Sequence, residues 1–211
     1  MKTVTQNQYR YSELTGRAKE KAKETIQEWI DDDLSRFLPD VAKFHCEQME
    51  KFGFDVTAHY SCSYSQGDGA SFVGTVDLVQ FALSQKAGNK IRSLIAWVAE
   101  YDTAAQISLN RYGGNYVHDG MMWIDARFIR NALVDTQQEG FPTDEQDVLF
   151  HAQLTSTGDW ALEFAKDKAR EMHKILCEEI EYYWEDKNFD NYAAERGFWF
   201  DENGRFEGMD E

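Results

Sequence analysis

Two strings in this chain carry side chains able to do chemistry. The first runs Ser65-Gln66-Gly67-Asp68-Gly69-Ala70-Ser71-Phe72. Two glycines around an aspartate allow positive φ and expose backbone N–H groups. The motif loop Gln66, Gly67, Asp68, Gly69 can therefore form a small anion-binding nest, or present Asp68 as a base or metal ligand. It lacks the Lys-Ser/Thr end of a Walker loop. It also lies between two strands rather than opening a helix, so the dinucleotide fingerprint does not fit either. A plain hairpin turn is the simpler account. The second string is His118-Asp119, which a sheet can bring toward Asp68 or His59 to make a metal or acid/base cluster. Cys62, three residues after His59, raises a thiol nucleophile, but residues three apart on an alternating strand point to opposite faces.

The five histidines, His45, His59, His118, His151 and His173, show no HxH or HExxH spacing. Cys46, Cys62 and Cys177 are an odd number without CxxC or a Cys/His ligand pattern. That usage suits buried thiols in a reducing compartment and argues against a disulfide framework and a structural zinc. The residues assign no catalytic side chain, no metal and no cofactor. His45 and His173 read as edge or core positions within helices.

These candidates must be positioned by a mixed set of elements. Leu14, Ala18, Ala22, Ile26, Trp29 and Ile30 recur at three and four, predicting a helix over 13–31 with Ser12 as N-cap. Asp31-Asp32-Asp33 is expected to stop it, and Phe37, Leu38, Val41, Phe44, Met49 and Phe52 mark a second helix closed by Gly53. FDVTAHYSCSY from Phe54 and SFVGTVDLVQF to Phe81 alternate around the Gly-Asp-Gly turn, a β-hairpin. A helix over 91–101 follows, then a second hairpin from Gln106–Tyr112 and Asn115–Ala126 across Gly113-Gly114. A short helix at 127–136 leads to the longest helix, which starts at Asp147 with a break near Thr157-Gly158. A short helix at Tyr192–Arg196 and a small hairpin around Asn203-Gly204 end the chain. The expected class is α+β: an antiparallel sheet of about four strands from two hairpins, packed against long amphipathic helices, with a small C-terminal hairpin. Residues 1–188 read as one α+β domain and 189–211 as an acidic, aromatic C-terminal extension.

The 211 residues carry 22 Lys and Arg against 38 Asp and Glu, a formal charge of −16. Such a chain has no field to attract nucleic acid or an anionic membrane surface. Its 42 % hydrophobic and 14 % aromatic content, with two prolines, still supports a packed core rather than disorder. No stretch approaches the ~20 apolar residues that span a bilayer, and MKTVTQNQYRYSE has no apolar run after Lys2, so a cytoplasmic protein is expected. The charge is concentrated: residues 178–211 hold 12 acidic and 3 basic side chains, a local −9 that is more than half of the total. Aromatic residues are interleaved with it. A charge run is usually a solvated face, but acid beside aromatic anchors also makes a docking surface for a basic partner. The candidate contact residues are Glu178, Glu181, Glu185, Asp186, Asp190, Trp184 and Trp199.

Three strings, YSELTGRAKEKAKE at the start, YSCSYSQGDGASFVG in the first hairpin and NYAAERGFWFDENGRFE at the end, resemble a widespread group of uncharacterised bacteriophage and prophage proteins. In that group a similar helix, an SQGDGASF hairpin and a C-terminal hairpin occur in the same order. At the C-terminus this chain keeps the group's Asn and Phe spacing only loosely. The resemblance implies a phage origin and no particular chemistry. Phage origin and the acidic segment together lead to the expected function. The chain reads as a non-enzymatic acidic protein that binds and inhibits a basic host protein, a nuclease or other nucleic-acid-handling defence factor, by anti-defence action or DNA mimicry. The alternatives are a ligand- or metal-binding enzyme in which Gln66, Asp68, His59 and His118 converge, and a self-assembling phage accessory protein.

Overall fold

A computed structural model describes residues 7–63, 66–86, 106–125 and 145–210. The helices expected over 91–101 and 127–136 lie outside these residues. The fold is α+β, with a four-stranded antiparallel sheet and a separate two-stranded hairpin. In chain order the elements are α1 (Gly16–Glu50), β1 (Phe54–Ser61), β2 (Gly69–Asp77), α2 (Leu78–Ser84), β3 (Gln106–Arg111), β4 (Met122–Asp125), α3 (Glu145–Trp184), α4 (Asp186–Glu195), β5 (Phe198–Phe200) and β6 (Phe206–Met209). No helix among the described residues is long and apolar enough to cross a membrane. The chain divides into two compact units, Met1–Pro39 with Leu176–Glu211, and Asp40–Ile175.

The two helices expected over 13–52 are a single helix, α1. Asp31-Asp32-Asp33 does not stop it because the buried positions Ala22, Ile26, Ile30 and Leu34 pass through the acidic run in unbroken phase, and Ala42, His45 and Met49 continue it. Pro39 lies inside the helix and costs one backbone hydrogen bond without ending it. Ser12 is not its cap: it sits in a 3-10 turn at Tyr11–Glu13, where the Glu13 carboxylate accepts the Arg10 N–H at 2.7 Å.

In the unit Asp40–Ile175 the sheet order is β1-β2-β3-β4. Register places Phe54 opposite Val76 and Val76 opposite Ile107, so one apolar row crosses three strands. Phe72, Leu109 and Met122 are buried with them. The first hairpin forms as expected, except that its second strand stops at Asp77. The Asp77 carboxylate accepts the N–H groups of Val79 and Gln80, which caps α2 and turns the string LVQFALS into helix rather than strand. Phe81 then joins an aromatic cluster with Phe54, Phe164 and Trp160 at ring separations of 5.0–5.8 Å.

The break expected at Thr157-Gly158 is absent; α3 is continuous. Both residues are buried, and a Cβ at Gly158 would meet Ile124 Cδ1 at 3.0 Å and Ile107 Cδ1 at 3.6 Å. The glycine lets the helix lie close on β3 and β4. Because those contacts are flexible side-chain ends, Gly158→Ala should be neutral or slightly stabilising through helix propensity, whereas Gly158→Leu should cost about 1–3 kcal/mol by overpacking. Urea unfolding of the two variants checks the difference.

In the other unit the start of α1, α4 and the β5–β6 hairpin share a core of Tyr11, Leu14, Ala22, Ile26, Ile30, Leu34, Phe189, Tyr192, Ala193, Phe198 and Phe200. Trp29 packs on Phe198 at 5.5 Å and on Phe206 at 6.1 Å between ring centres. The terminal hairpin forms where Asn203-Gly204 pointed, and Tyr9 bridges to Phe200 at its edge. α4 begins six residues earlier than the expected helix at Tyr192, since Asn188 and Phe189 are buried beneath it.

Candidate functional site

The loop after β1 is organised by Asp68. Its carboxylate accepts the hydroxyls of Ser61 at 2.7 Å and Ser63 at 2.9 Å, tying the turn to the end of its own strand. The loop is also stitched to the β3–β4 connection: Val117 N–H donates to the Gly67 carbonyl at 3.0 Å. A Cβ on Gly69 would fall 2.4 Å from His118 Cα, so the second glycine of the motif exists to let these two backbones touch.

His118 is thus brought against the turn. Asp119 leaves it, pairing with Arg170 Nε of α3 at 2.7 Å. His59 stands in register opposite Ser71, and its imidazole is held below the usual histidine pKa by burial and by the positive charge of Arg111. Gln66 is exposed. Among the described residues, Asp68, His59 and His118 do not form a cluster of ligand atoms fit for a metal; Asp68 is instead an acceptor that shapes the loop.

Within the unit Asp40–Ile175 a different pair of side chains does converge. Cys62, the residue after β1, brings its Sγ within 4.8 Å of a ring nitrogen of His173 on α3. Cys177 follows His173 by four residues on the same unbroken helix, the spacing that stacks two side chains on one face. All three residues are half-buried. Reading the sequence for CxxC and HExxH passed over the pair Cys62 and His173. The two residues are 111 positions apart in the chain and meet only through the tertiary fold.

The acidic C-terminal segment falls into two groups. Glu178, Glu181 and Tyr182 recur at i, i+3 and i+4 on the last turns of α3 and are exposed; Glu185, the N-cap residue between α3 and α4, is exposed as well, and Trp184 beside them is 46 % exposed. Glu185 also pairs with Lys187 at 2.5 Å. The remaining candidates serve contacts within their own unit. Asp190 is half-buried, 3.6 Å from Lys19 Nζ. Trp199 donates its Nε1–H to Asp210 at 2.6 Å and carries the Arg10 guanidinium 3.5 Å above its ring. Asp186 opens α4, and its side chain lies outside the described residues. Of the interleaved aromatics, Phe189, Tyr192, Phe198 and Phe200 are core, whereas Tyr182 and Trp184 face outward.

Comparison with family models, with curated proteins and with solved structures finds no match for this chain.

One polar cluster fixes the base of this region. Tyr192 OH donates to Asp33 Oδ2 at 2.6 Å, and the Arg196 guanidinium pairs with the same carboxylate. Burial, then the hydrogen bond to Asp33, raises the phenol's pKa well above that of an ordinary tyrosine. A raised folded-state pKa means that the contribution to stability is complete below the unfolded value of about 10 and is lost as pH rises beyond it. Tyr192→Phe should therefore cost about 1 kcal/mol at neutral pH and show a shallower alkaline loss of stability than the parent, measured by urea unfolding between pH 7 and 11.

Proposed function

We propose that this chain is a non-enzymatic, phage-encoded acidic protein that binds and inhibits a basic host protein, a nuclease or another nucleic-acid-handling defence factor. The observation that carries this reading is the exposed face of Glu178, Glu181, Tyr182 and Glu185, with Trp184 beside it, at the end of α3. Two carboxylates on the last turns of the helix and a third on the residue that follows it offer a basic groove a row of negative charge where it would otherwise hold phosphates. The two outward aromatics supply what charge alone does not, since contact energy concentrates in desolvated Trp and Tyr anchors. The resemblance of the YSELTGRAKEKAKE, SQGDGASF and C-terminal strings to phage proteins supports the choice of a host target. The competing reading, an enzyme built on the QGDG hairpin, has less support: Asp68 already accepts two serine hydroxyls within its loop.

The test is affinity capture from bacterial lysate with the parent chain and with the triple variant Glu178→Lys, Glu181→Lys, Glu185→Lys. The reading expects a basic, nucleic-acid-processing protein retained by the parent, lost from the variant, and inhibited in its cleavage of nucleic acid when the parent chain is added. The same proteins on both columns, or a captured nuclease whose activity is unchanged, would refute it.

A further inference from the structure

We infer that Cys62, held beside the His173 imidazole, is a reactive thiol, the site at which this chain takes up a low-molecular-weight disulfide as a mixed disulfide. Both residues belong to the unit Asp40–Ile175, and the Cys62 Sγ lies within 4.8 Å of a His173 ring nitrogen. A positive charge within ~4–6 Å favours the thiolate over the thiol, and the thiolate is the nucleophile. His59, three residues before Cys62, points to the opposite face of its strand. The fold supplies His173 of α3 in its place.

The placement serves this chemistry. Cys62 follows the last residue of β1, in a loop that Asp68 ties down through the Ser61 and Ser63 hydroxyls on either side of it. Both side chains of the pair are short, so the backbone sets the approach of sulfur to imidazole. Both are half-buried, which leaves the sulfur open to a small reagent while limiting its hydration. Burial, then the charge at Cys62, holds the Tyr60 phenol above the usual tyrosine range, so no phenolate competes for the imidazole. Cys46 of the same unit has the opposite surroundings. Burial pushes its thiol up, a backbone hydrogen bond at Ala58 offsets part of this, and the Glu50 and Glu47 carboxylates add to the rise. The step is a thiol–disulfide exchange. The Cys62 proton passes through solvent to the His173 imidazole, and the thiolate attacks one sulfur of the small disulfide, whose S–S bond breaks as the new bond to Cys62 forms. Cys62 is oxidised. The departing half is reduced, leaves as thiolate and takes the proton from the imidazolium, and excess small thiol runs the exchange backwards.

Two reagents test this on the full chain. With iodoacetamide at neutral pH, peptide mass spectrometry should show Cys62 alkylated at least ~10-fold faster than Cys46, because an ordinary thiol is only slightly ionised there. With oxidised glutathione, the mixed disulfide should form at Cys62 ahead of Cys46 and be removed by excess reduced glutathione. His173→Gln should slow both reactions at Cys62 by about 10-fold, whereas His173→Lys, which returns a positive charge, should recover most of the rate. Recovery by lysine separates the charge of the imidazole from a merely structural role. The comparison of Cys62 with Cys46 needs no variant, so it stands even if a substitution at His173 unfolds the chain. Cys62 reacting no faster than Cys46 in the parent chain, or at the parent rate in a folded His173→Gln chain, overturns the site. Equal slowing by the glutamine and lysine variants does the same.

Discussion

Gly204→Val should destabilise the unit that holds the terminal hairpin by about 3 kcal/mol or more, the largest stability effect expected of any single change here. Gly204 has φ +76°, in the left-handed region, and a Cβ there would stand 1.9 Å from the Ala18 carbonyl oxygen of α1. The obstacle is backbone, so no rotamer relieves it. Nor can the turn yield, because Asp201 holds it from three sides: its carboxylate accepts the N–H groups of Asn203 and Arg205 at 2.8 Å, and its carbonyl accepts Gly204 N–H at 3.0 Å. Those two N–H groups also keep the Asp201 carboxyl below the usual aspartate range. Loss of the hairpin would expose Phe198, Phe200 and Phe206, and tryptophan fluorescence of Trp29 and Trp199 would follow it in urea. Gly208→Ala in β6 is the control. Its Cβ meets nothing within 4 Å, so stability should change by less than about 0.5 kcal/mol.

The second large effect concerns rate rather than stability. Reversing Glu178, Glu181 and Glu185 to lysine changes the local charge by six units on a surface where the side chains are exposed. Steered association spans several decades above the neutral rate, so the triple variant should bind its basic partner about 10–100-fold more slowly at low salt, with a much smaller deficit at high salt. The fold should be kept: Glu178 and Glu181 are exposed surface positions, and Glu185, the N-cap residue of α4, makes no side-chain cap hydrogen bond, so its reversal should cost about 1 kcal/mol or less through the helix dipole. Stopped-flow association at two ionic strengths, with unfolding measured alongside, separates the two effects. Trp184→Ala should act the other way round, speeding dissociation while leaving the salt dependence of association alone.

The class and the pairing of elements were legible because their signals are local. Alternation from Phe54 to Ser61 and from Gly69 to Val76, closed by glycine, specifies the first hairpin, and Asn203-Gly204 between aromatic runs specifies the last. Boundaries failed where a local stop signal met a tertiary demand. The acidic run at Asp31–Asp33 looked like a helix end, yet Asp33 is spoken for by Tyr192 and Arg196, and the buried stripe passes straight through it. Gly158 looked like a break, yet its lack of a side chain is what admits Ile107 and Ile124. Asp77 was read as a strand residue because its capping role depends on which way the chain turns next.

The chemistry divides in the same way. The QGDG string was conspicuous in sequence and proves to be loop architecture, two close backbone approaches and an aspartate between two serines. The approach of Cys62 to His173 was inconspicuous because the two lie 111 residues apart, one after β1 and the other on α3. In the acidic segment, charge was visible in the composition, but which aromatics turn inward is decided by packing: Phe198 and Phe200 are buried while Tyr182 and Trp184 are not.

The central claim is that the exposed acidic face at the end of α3 recognises a basic protein in place of nucleic acid. Competition tests it most directly: the captured nuclease is bound to a fluorescent oligonucleotide, and the parent chain or the Glu178→Lys, Glu181→Lys, Glu185→Lys variant is titrated in. The parent chain should displace the oligonucleotide stoichiometrically and the variant should require at least ~10-fold more. Equal displacement by the two chains, or an oligonucleotide that stays bound while the parent chain binds elsewhere, would contradict the account.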